Sequence, residues 1–157
     1  MTSGLYLLFN LGSERFAVST SIITEIIPLV EVTQVPTTPE YICGVFNYRG
    51  ETIPVIDTNQ LLYRQDHNQR ICTRILVLET EAHEGTAHVG LIAEKVNQTT
   101  MIDTTDIRKH TLTRNSNVYL GKTVSDELGE IQIIDLDQLV KDALNDSREH
   151  INKAQTV

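Results

Sequence analysis

An arginine on a predicted tight turn is the residue of this chain best suited to recognition chemistry. Residues 44–50 read Gly-Val-Phe-Asn-Tyr-Arg-Gly, with strand-like sequence on both sides of the Arg-Gly pair. Gly50 can supply the positive φ angle that a tight hairpin often requires. Arg49 would then project from a fixed base, and its planar fork of N–H donors could hold a carboxylate or a row of backbone carbonyls. Composition alone favours a simpler alternative, a turn arginine that contacts only water.

The residue types that usually carry catalysis form no recognisable constellation. The five histidines lack the spacing of a metal motif such as HExxH, and His83 and His88 are expected to flank a solvated hairpin loop. Gly121-Lys122-Thr123 is similar to the end of a phosphate-binding loop, but Ser116 occupies the position of the required glycine. No pair of carboxylates is spaced for acid–base chemistry. We therefore expect a protein that is not an enzyme and has no metal and no cofactor.

The cysteines and the N-terminus indicate a cytoplasmic protein. Cys43 and Cys72 lie in strand-like segments, where buried free thiols are expected, although a disulfide between them stays open. Residues 1–4 are not a basic segment followed by a long apolar run, so no signal peptide is expected. The apolar runs are also far too short for insertion into a membrane.

The composition is that of a soluble globular protein with an aliphatic core. Of 157 residues, 40% are hydrophobic, 22% are charged and 5% are aromatic, with no tryptophan. This length suffices for one domain or for two small subdomains. The net charge is −8 and the 13 Lys and Arg residues are scattered, whereas neutralising phosphates requires clustered basic residues. Nucleic acid and an anionic membrane surface are therefore disfavoured as partners.

Short strands separated by turns predict an all-β fold. Alternating apolar residues predict a strand at 5–11, and 16–18 is expected to return as its hairpin partner. Pro28 cannot donate to a ladder and therefore favours a sheet edge. Short helical turns are expected within 19–25 and near Asp106. Further strands are predicted at 41–48, 51–56, 75–78, 87–92, 96–102 and 131–134.

The clearest helix is at the C-terminal end. Its apolar positions follow the helical period, at Leu136, Leu139, Val140, Ala143 and Leu144. Asp135 is a natural N-cap, and Gln138 three positions later would complete a capping box. Asp57 and Gln60 repeat this arrangement, which predicts a short helix there as well.

One stretch of the chain occurs twice. Residues 44–62 and 129–140 share a Gly-Glu turn, an apolar strand, an Asp, a Gln three positions on and an apolar pair. Strands 5–9 and 75–79 also correspond in order. This pattern predicts a barrel or sandwich built from two similar halves. Because only the first copy carries Asn47-Tyr48-Arg49-Gly50, a function is expected on that half alone.

Residues 44–62 resemble the signature of the CheW-like family, in which an Asn-x-Arg-Gly turn precedes a Pro-Val-x-Asp strand. The resemblance continues in chain order through 16–18, 89–91 and 133–137, and it covers residues 5 to 142. It implies two small five-stranded SH3-like β-barrel subdomains with short helical turns and a C-terminal helix. Residues 4–145 are then expected to form a single domain, with 146–157 as the helix end and tail.

The resemblance implies a free-standing adaptor that couples chemoreceptors to a CheA-type histidine kinase. Its expected partners are the regulatory domain of that kinase and the cytoplasmic tip of the receptor. These contacts would recruit a cytoplasmic protein to membrane receptor arrays. The style of the sequence is closer to adaptors of alternative pathways, such as Wsp-type surface sensing or Pil-type pilus control.

The resemblance also implies which residues contact receptor or kinase. Arg49 matches the turn arginine that is tied to receptor coupling in the family, and Asn47 and Gly50 are expected to hold its turn. An apolar groove edged by Arg49 would suit a coiled-coil tip that presents apolar and acidic or amide side chains.

The same resemblance to the family implies three further candidates. Ile23 and Glu25 match positions near the receptor and kinase contacts, and Val96 matches an apolar position lining the groove between the barrels. Core packing stays the alternative for Ile23 and Val96, and a solvated carboxylate is the alternative for Glu25.

A second function also stays open, a β-barrel module that binds a peptide or small ligand without a kinase partner. Long acidic loops predicted at 80–86 and 122–130 would carry that function.

Overall fold

The structure, a computed structural model, describes residues 3–36, 38–63, 73–81, 85–109 and 119–155, without the side chains of Asn97 and 147–155. The strands are β1 (Ser3–Leu11), β2 (Glu14–Ser19), β3 (Ile23–Pro28), β4 (Ile42–Tyr48), β5 (Glu51–Asp57), β6 (Arg74–Glu81), β7 (Thr86–Asp103), β8 (Arg108–Lys109), β9 (Leu120–Asp126) and β10 (Gly129–Ile134). The helices are α1 (Thr58–Tyr63) and α2 (Leu136–Gln155). Single 3₁₀ turns at Thr20–Ile22 and Thr104–Asp106 confirm the two predicted helical turns.

The strands form two subdomains that are interleaved in the sequence. In the first subdomain, β1 pairs with β2 and with the second part of β7. Strand β2 also pairs in parallel with β10, β10 pairs with β9, and β9 pairs with β8. In the second subdomain, β6 pairs with β3 on one side and with the first part of β7 on the other. The first part of β7 also pairs in parallel with β5, and β5 pairs with β4. Two subdomains are thus confirmed. The repeat suggested that they would be successive halves of the chain, but each subdomain combines strands from both halves.

Strand β7 belongs to both subdomains and bends where it passes between them. The prediction of separate strands at 87–92 and 96–102 is wrong, because β7 is one continuous strand in which Ala93 still pairs with β6 and Glu94 already pairs with β1. The bend is a bulge: Asn10 pairs with Glu94, whereas Leu8 pairs with Gln98. Lys95 has a φ of 48° at this point. The polar sequence around Lys95 therefore marks a kink within one strand.

Each copy of the repeat starts a helix with the same hydrogen bonds. The Asp57 and Asp135 carboxylates accept bonds from backbone N–H groups in the first helical turn, which confirms both predicted N-caps. The Asp57 backbone N–H donates to the carbonyl of Tyr41 at 2.7 Å, and that of Asp135 donates to Tyr119 at 2.9 Å. The Asp135 N–H therefore has a partner already. The Gln138 side-chain amide donates to a side chain further along α2. The second hydrogen bond of a capping box, from the Asp135 N–H to the Gln138 side chain, is therefore not formed.

The same two tyrosines attach α2 to the subdomains. The hydroxyl of Tyr41, just before β4, donates to Asp146, and that of Tyr119, just before β9, donates to Asp142 at 2.6 Å. Each subdomain therefore supplies one phenol that holds the C-terminal helix.

In the parts of the chain that the structure describes, the core forms three apolar clusters. One fills the interior of each subdomain, around Leu8 and Ile131 in the first and around Ile53 and Ile75 in the second. The third, here called the central cluster, lies between the subdomains and under α2. It buries both faces that the two subdomains turn toward each other, which ties them into one unit. Its fully buried members include Phe9, Phe16, Val18, Ile56, Leu76, Leu78, Leu91, Leu139 and Val140.

The predicted acidic loop at 122–130 is mostly strand. Residues 122–130 lie in the β9–β10 hairpin, whose turn is limited to 127–128. Asp126 at this turn accepts bonds of 2.7 and 2.5 Å from the guanidinium of Arg15, so its charge is already paired. In 80–86, β6 runs to Glu81 and β7 begins at Thr86, while 82–84 lie outside the described residues.

The Cys43 thiol is free and half-buried in β4. Burial raises the pKa of this thiol to about 11, which keeps it protonated at neutral pH. Cys72, the other predicted buried thiol, lies outside the described residues.

Candidate interaction site at the Arg49 turn

A two-residue hairpin turn at Arg49 and Gly50 joins β4 to β5. Tyr48 and Glu51 form the last directly opposed pair of the ladder, and φ is 49° at Arg49 and 88° at Gly50. Two successive positive φ angles are typical of a type I′ turn. The sequence predicts this conformation for Gly50 but not for Arg49, where a side chain makes it uncommon. The Asn47 Oδ1 accepts a 2.9 Å bond from the Gly50 N–H and so stabilises the turn.

The Arg49 side chain has two supports and is still accessible. Its Nη2 donates a 3.0 Å bond to Oε2 of Glu25, and its guanidinium carbon lies 5.3 Å from the centre of the Tyr48 ring, within cation–π range. The Arg49 side chain is nevertheless 72% exposed, against 36% for Glu25. An ion pair this exposed contributes about 0–1 kcal/mol, so a carboxylate from a partner can compete for the guanidinium.

Tyr48 links this exposed arginine to the core of the second subdomain. Its ring is buried against Phe46, with 6.3 Å between ring centres, and belongs to the apolar cluster of that subdomain. Its hydroxyl donates a 2.6 Å bond to the same Oε2 of Glu25 that Arg49 uses. The bond to Glu25, more than burial, raises the pKa of the Tyr48 phenol. Glu25 therefore accepts from a buried group and an exposed group at once.

A histidine and a second carboxylate complete the surroundings of Tyr48. The His88 ring centre lies 5.6 Å from that of Tyr48, and the His88 Nδ1 lies 2.6 Å from Oε2 of Glu51. His88 lies in β7, within the strand predicted at 87–92, and its side chain is only 16% exposed. A strict period of two along β7 places His88 on the same face as Ile92, inside the second subdomain. This period could have predicted from the sequence that the His88 side chain is largely buried.

The candidates on β3 point to different places. This strand lies at one end of the strand order, as Pro28 predicts. Ile23 pairs with Leu78 and Glu25 with Val77, so two residues of β3 oppose one residue of β6. Such a bulge reverses the alternation of side chains. Glu25 therefore joins the Arg49 turn instead of the face that carries Ile23.

Ile23 and Val96 are half-buried and pack against the central cluster between the subdomains. Each of the two side chains is thus partly packed in the core, as the core-packing alternative has it, and partly accessible. Glu25 is not a free solvated carboxylate, since it binds Tyr48 and Arg49. The structure brings Glu25, Asn47, Arg49 and Gly50 together at one turn and places the two apolar candidates where the subdomains meet.

No group of three or more His, Cys, Asp or Glu in the described parts of the chain is arranged to hold a metal ion. A groove of about 580 Å³ on the first subdomain, whose lining includes Lys109, Lys122, Asp135 and Asp137, contains none of the six candidates.

Among the described residues, no helix combines the length and the apolar character that crossing a membrane requires.

Comparison with known proteins agrees with this architecture. The family model described as "CheW-like domain" matches residues 5–144. The chemotaxis protein CheW of Helicobacter pylori is 31% identical over 115 residues, which cover 72% of this chain and 67% of that protein. The chemotaxis protein CheW of Bacillus subtilis is 27% identical over 131 residues, which cover 82% and 81%.

A solved structure shows the same fold. The crystal structure of the scaffolding protein TtCheW from Thermoanaerobacter tengcongensis matches with a TM-score of 0.75 and 26% identity, covering 87% of this chain and 86% of that one. The fold is thus an all-β domain of two SH3-like subdomains closed by a helix, as predicted. The chain belongs to the CheW-like family.

Proposed function

We propose that this chain is an adaptor that couples chemoreceptors to a CheA-type histidine kinase. The observation that carries this conclusion is the match to the CheW-like family over residues 5–144. The similar proteins are chemotaxis proteins and a scaffolding protein, which agrees with this role. The predicted class of function is confirmed at this level. Its partners are the regulatory domain of the kinase and the cytoplasmic tip of the receptor.

The Arg49 turn is the receptor-coupling element of this proposal. The guanidinium has five N–H donors, and among the described residues its hydrogen bonding is limited to the Nη2 bond with Glu25. The other donors can hold a carboxylate or amide on a helical receptor tip. Glu25 aims the guanidinium, and Asn47 and Gly50 set the backbone from which it projects.

Ile23 and Val96 form the apolar part of the contact. Both are buried on one side by the central cluster, so each presents only part of its surface to a partner. Apolar side chains held in this way lose little conformational entropy on binding, which favours affinity. Their position at the junction of the subdomains fits a partner that lies across both.

The adaptor acts through position and not through catalysis. Holding the kinase regulatory domain against the receptor lets the state of the receptor bias the kinase through differential contacts. We place the protein in the cytoplasm, recruited to membrane receptor arrays, with 4–145 as a single domain and 146–157 as the helix end and tail. An alternative pathway of the Wsp or Pil type stays a hypothesis.

The alternative of a ligand-binding module without a kinase partner has less support. It relied on acidic loops, and the predicted loop at 122–130 is a paired hairpin in which Asp126 already binds Arg15.

The test is a kinase assay with receptor-containing membranes and purified CheA-type kinase. Replacing Arg49 by alanine should lower receptor-dependent kinase activation about tenfold, as for loss of one charged contact worth roughly 1.4 kcal/mol. Binding to the isolated kinase regulatory domain should stay within about twofold of wild type, since Arg49 is assigned to the receptor.

Arg108→Ala is the matched control, because Arg108 is an exposed arginine on β8 of the other subdomain. Normal coupling by Arg49→Ala would disprove the site assignment. Failure of the wild-type protein to bind any CheA-type regulatory domain of its own organism would disprove the adaptor function.

A further inference from the structure

We propose that His88 and Glu51 are positioning residues that hold the Arg49 turn in its receptor-binding geometry. This inference rests on the proposed role of the Arg49 turn in coupling. Among the described residues, no hydrogen bond or ion pair joins His88 or Glu51 to Arg49. They act on Tyr48, the residue through which the turn is anchored to the core.

The anchoring of Tyr48 has two sides. On one side, its hydroxyl is fixed by Glu25 of β3 at 2.6 Å. On the other side, its ring rests against His88 of β7, whose imidazole is fixed by Glu51 at 2.6 Å. Glu51 is also the residue directly opposite Tyr48 in the β4–β5 ladder. The bond from Glu51 to His88 therefore ties the strand that leaves the turn to β7.

The arrangement makes the orientation of Arg49 depend on that bond. The guanidinium carbon of Arg49 lies 5.3 Å from the centre of the Tyr48 ring, so a rotation of the ring moves the surface on which the arginine rests. His88 is 16% exposed and Glu51 is 41% exposed, which places their bond at the boundary between core and solvent. A bond that is partly screened from water restrains its partners more than a fully solvated one does.

Among the described residues, a second charged group faces His88 from β6. Glu79 is directly opposite His88 in the β6–β7 ladder, but its side chain is exposed, and Glu51 is the carboxylate in hydrogen-bond contact with the imidazole. The inference therefore concerns the bond between His88 and Glu51, and Glu79 serves as a nearby carboxylate whose removal should matter less.

The test compares His88→Phe and Glu51→Ala with wild type in the same kinase assay. Phenylalanine keeps a ring against Tyr48 and removes the bond to Glu51. Each variant should lower receptor-dependent kinase activation about threefold to tenfold, as expected for residues that modulate coupling without contacting the ligand. His88→Gln retains an amide donor for Glu51 and should recover most of the coupling.

The controls separate positioning from a loss of stability or charge. Glu127→Ala removes the same charge at the β9–β10 turn of the other subdomain and should leave coupling unchanged. In the Arg49→Ala background, His88→Phe should cause no further loss, because both changes act through the same guanidinium. A further loss of equal size in that background would overturn the proposal.

A spectroscopic readout tests the positioning without any receptor. In NMR spectra, the Arg49 Nε–H and Gly50 amide signals should shift in His88→Phe and in Glu51→Ala and keep their positions in Glu127→Ala. Unchanged signals would overturn the proposal, even if the adaptor function holds. If Arg49→Ala couples normally, the receptor-binding role of the turn fails, while these signals still decide whether His88 and Glu51 position it.

Discussion

Tyr48 and Glu25 are joined by a 2.6 Å hydrogen bond from a buried phenol to a carboxylate that also pairs with Arg49. The oxygen that accepts from Tyr48 is the one that accepts from the guanidinium at 3.0 Å. Glu25 thus connects the core of the second subdomain to the most exposed charge of the site. The orientation of Arg49 therefore depends, through Glu25, on the buried Tyr48.

Tyr48→Phe should weaken both stability and receptor coupling. The variant keeps the ring under Arg49 and removes the hydroxyl that fixes Glu25. A hydrogen bond to a charged group contributes about 1.5–3 kcal/mol when buried, and partial exposure of Glu25 reduces the expected loss to about 1 kcal/mol. Urea denaturation would measure the free energy of unfolding, and the kinase assay would measure coupling.

Tyr6→Phe is the control for this variant, because the half-buried Tyr6 has no hydroxyl hydrogen bond among the described residues. It should leave both quantities near the wild-type values. Equal effects of the two substitutions would show that the Glu25 bond does not carry the difference.

Gly50→Ala should destabilise the protein through backbone strain alone. Gly50 has a φ of 88°, and a Cβ atom built there would meet nothing within 4 Å. A side chain in this conformation costs roughly 1–2 kcal/mol. Thermal and urea denaturation would measure the loss.

Gly121→Ala is the matched control for Gly50→Ala. A Cβ at Gly121 also meets nothing within 4 Å, and φ at Gly121 lies outside the left-handed range that strains a side chain. Its effect on the free energy of unfolding should stay within about 0.5 kcal/mol. A larger loss at Gly121 than at Gly50 would contradict the type I′ turn.

Tyr41 and Tyr119 should make the protein sensitive to alkaline pH. Burial first, and then the bonds to Asp146 and Asp142, raise the pKa of both phenols well above the usual value. A raised pKa in the folded state means that this contribution to stability is complete below the unfolded pKa of about 10 and is lost as pH rises above it. The free energy of unfolding should therefore fall above about pH 10.

The double variant Tyr41→Phe and Tyr119→Phe should be less stable than wild type at neutral pH and should show a smaller decrease above pH 10. Denaturation at a series of pH values would measure both effects. Tyr6→Phe is again a suitable control, and an alkaline decrease that persists unchanged in the double variant would contradict this prediction.

Local signals predicted the features that depend on a few neighbouring residues. Asp57 and Asp135 cap helices because a carboxylate two or three positions before a free N–H can reach it in any tertiary context. The Arg-Gly turn followed from the same kind of rule. Period-two patterns located most strands, but they divided β7 at its polar bulge, because a bulge breaks the alternation without breaking the pairing.

The sequence by itself determined the all-β class, the repeated strand and cap, the turn that presents Arg49 and, through its motifs, the family. Only the tertiary structure decided what surrounds that turn. Glu25 lies 24 positions from Arg49 and His88 lies 37 positions from Glu51. Their meeting depends on strand order and on a bulge in β3 that separates Glu25 from Ile23. Local patterns carry no information on such register, because each ladder is set by the packing of all the strands together.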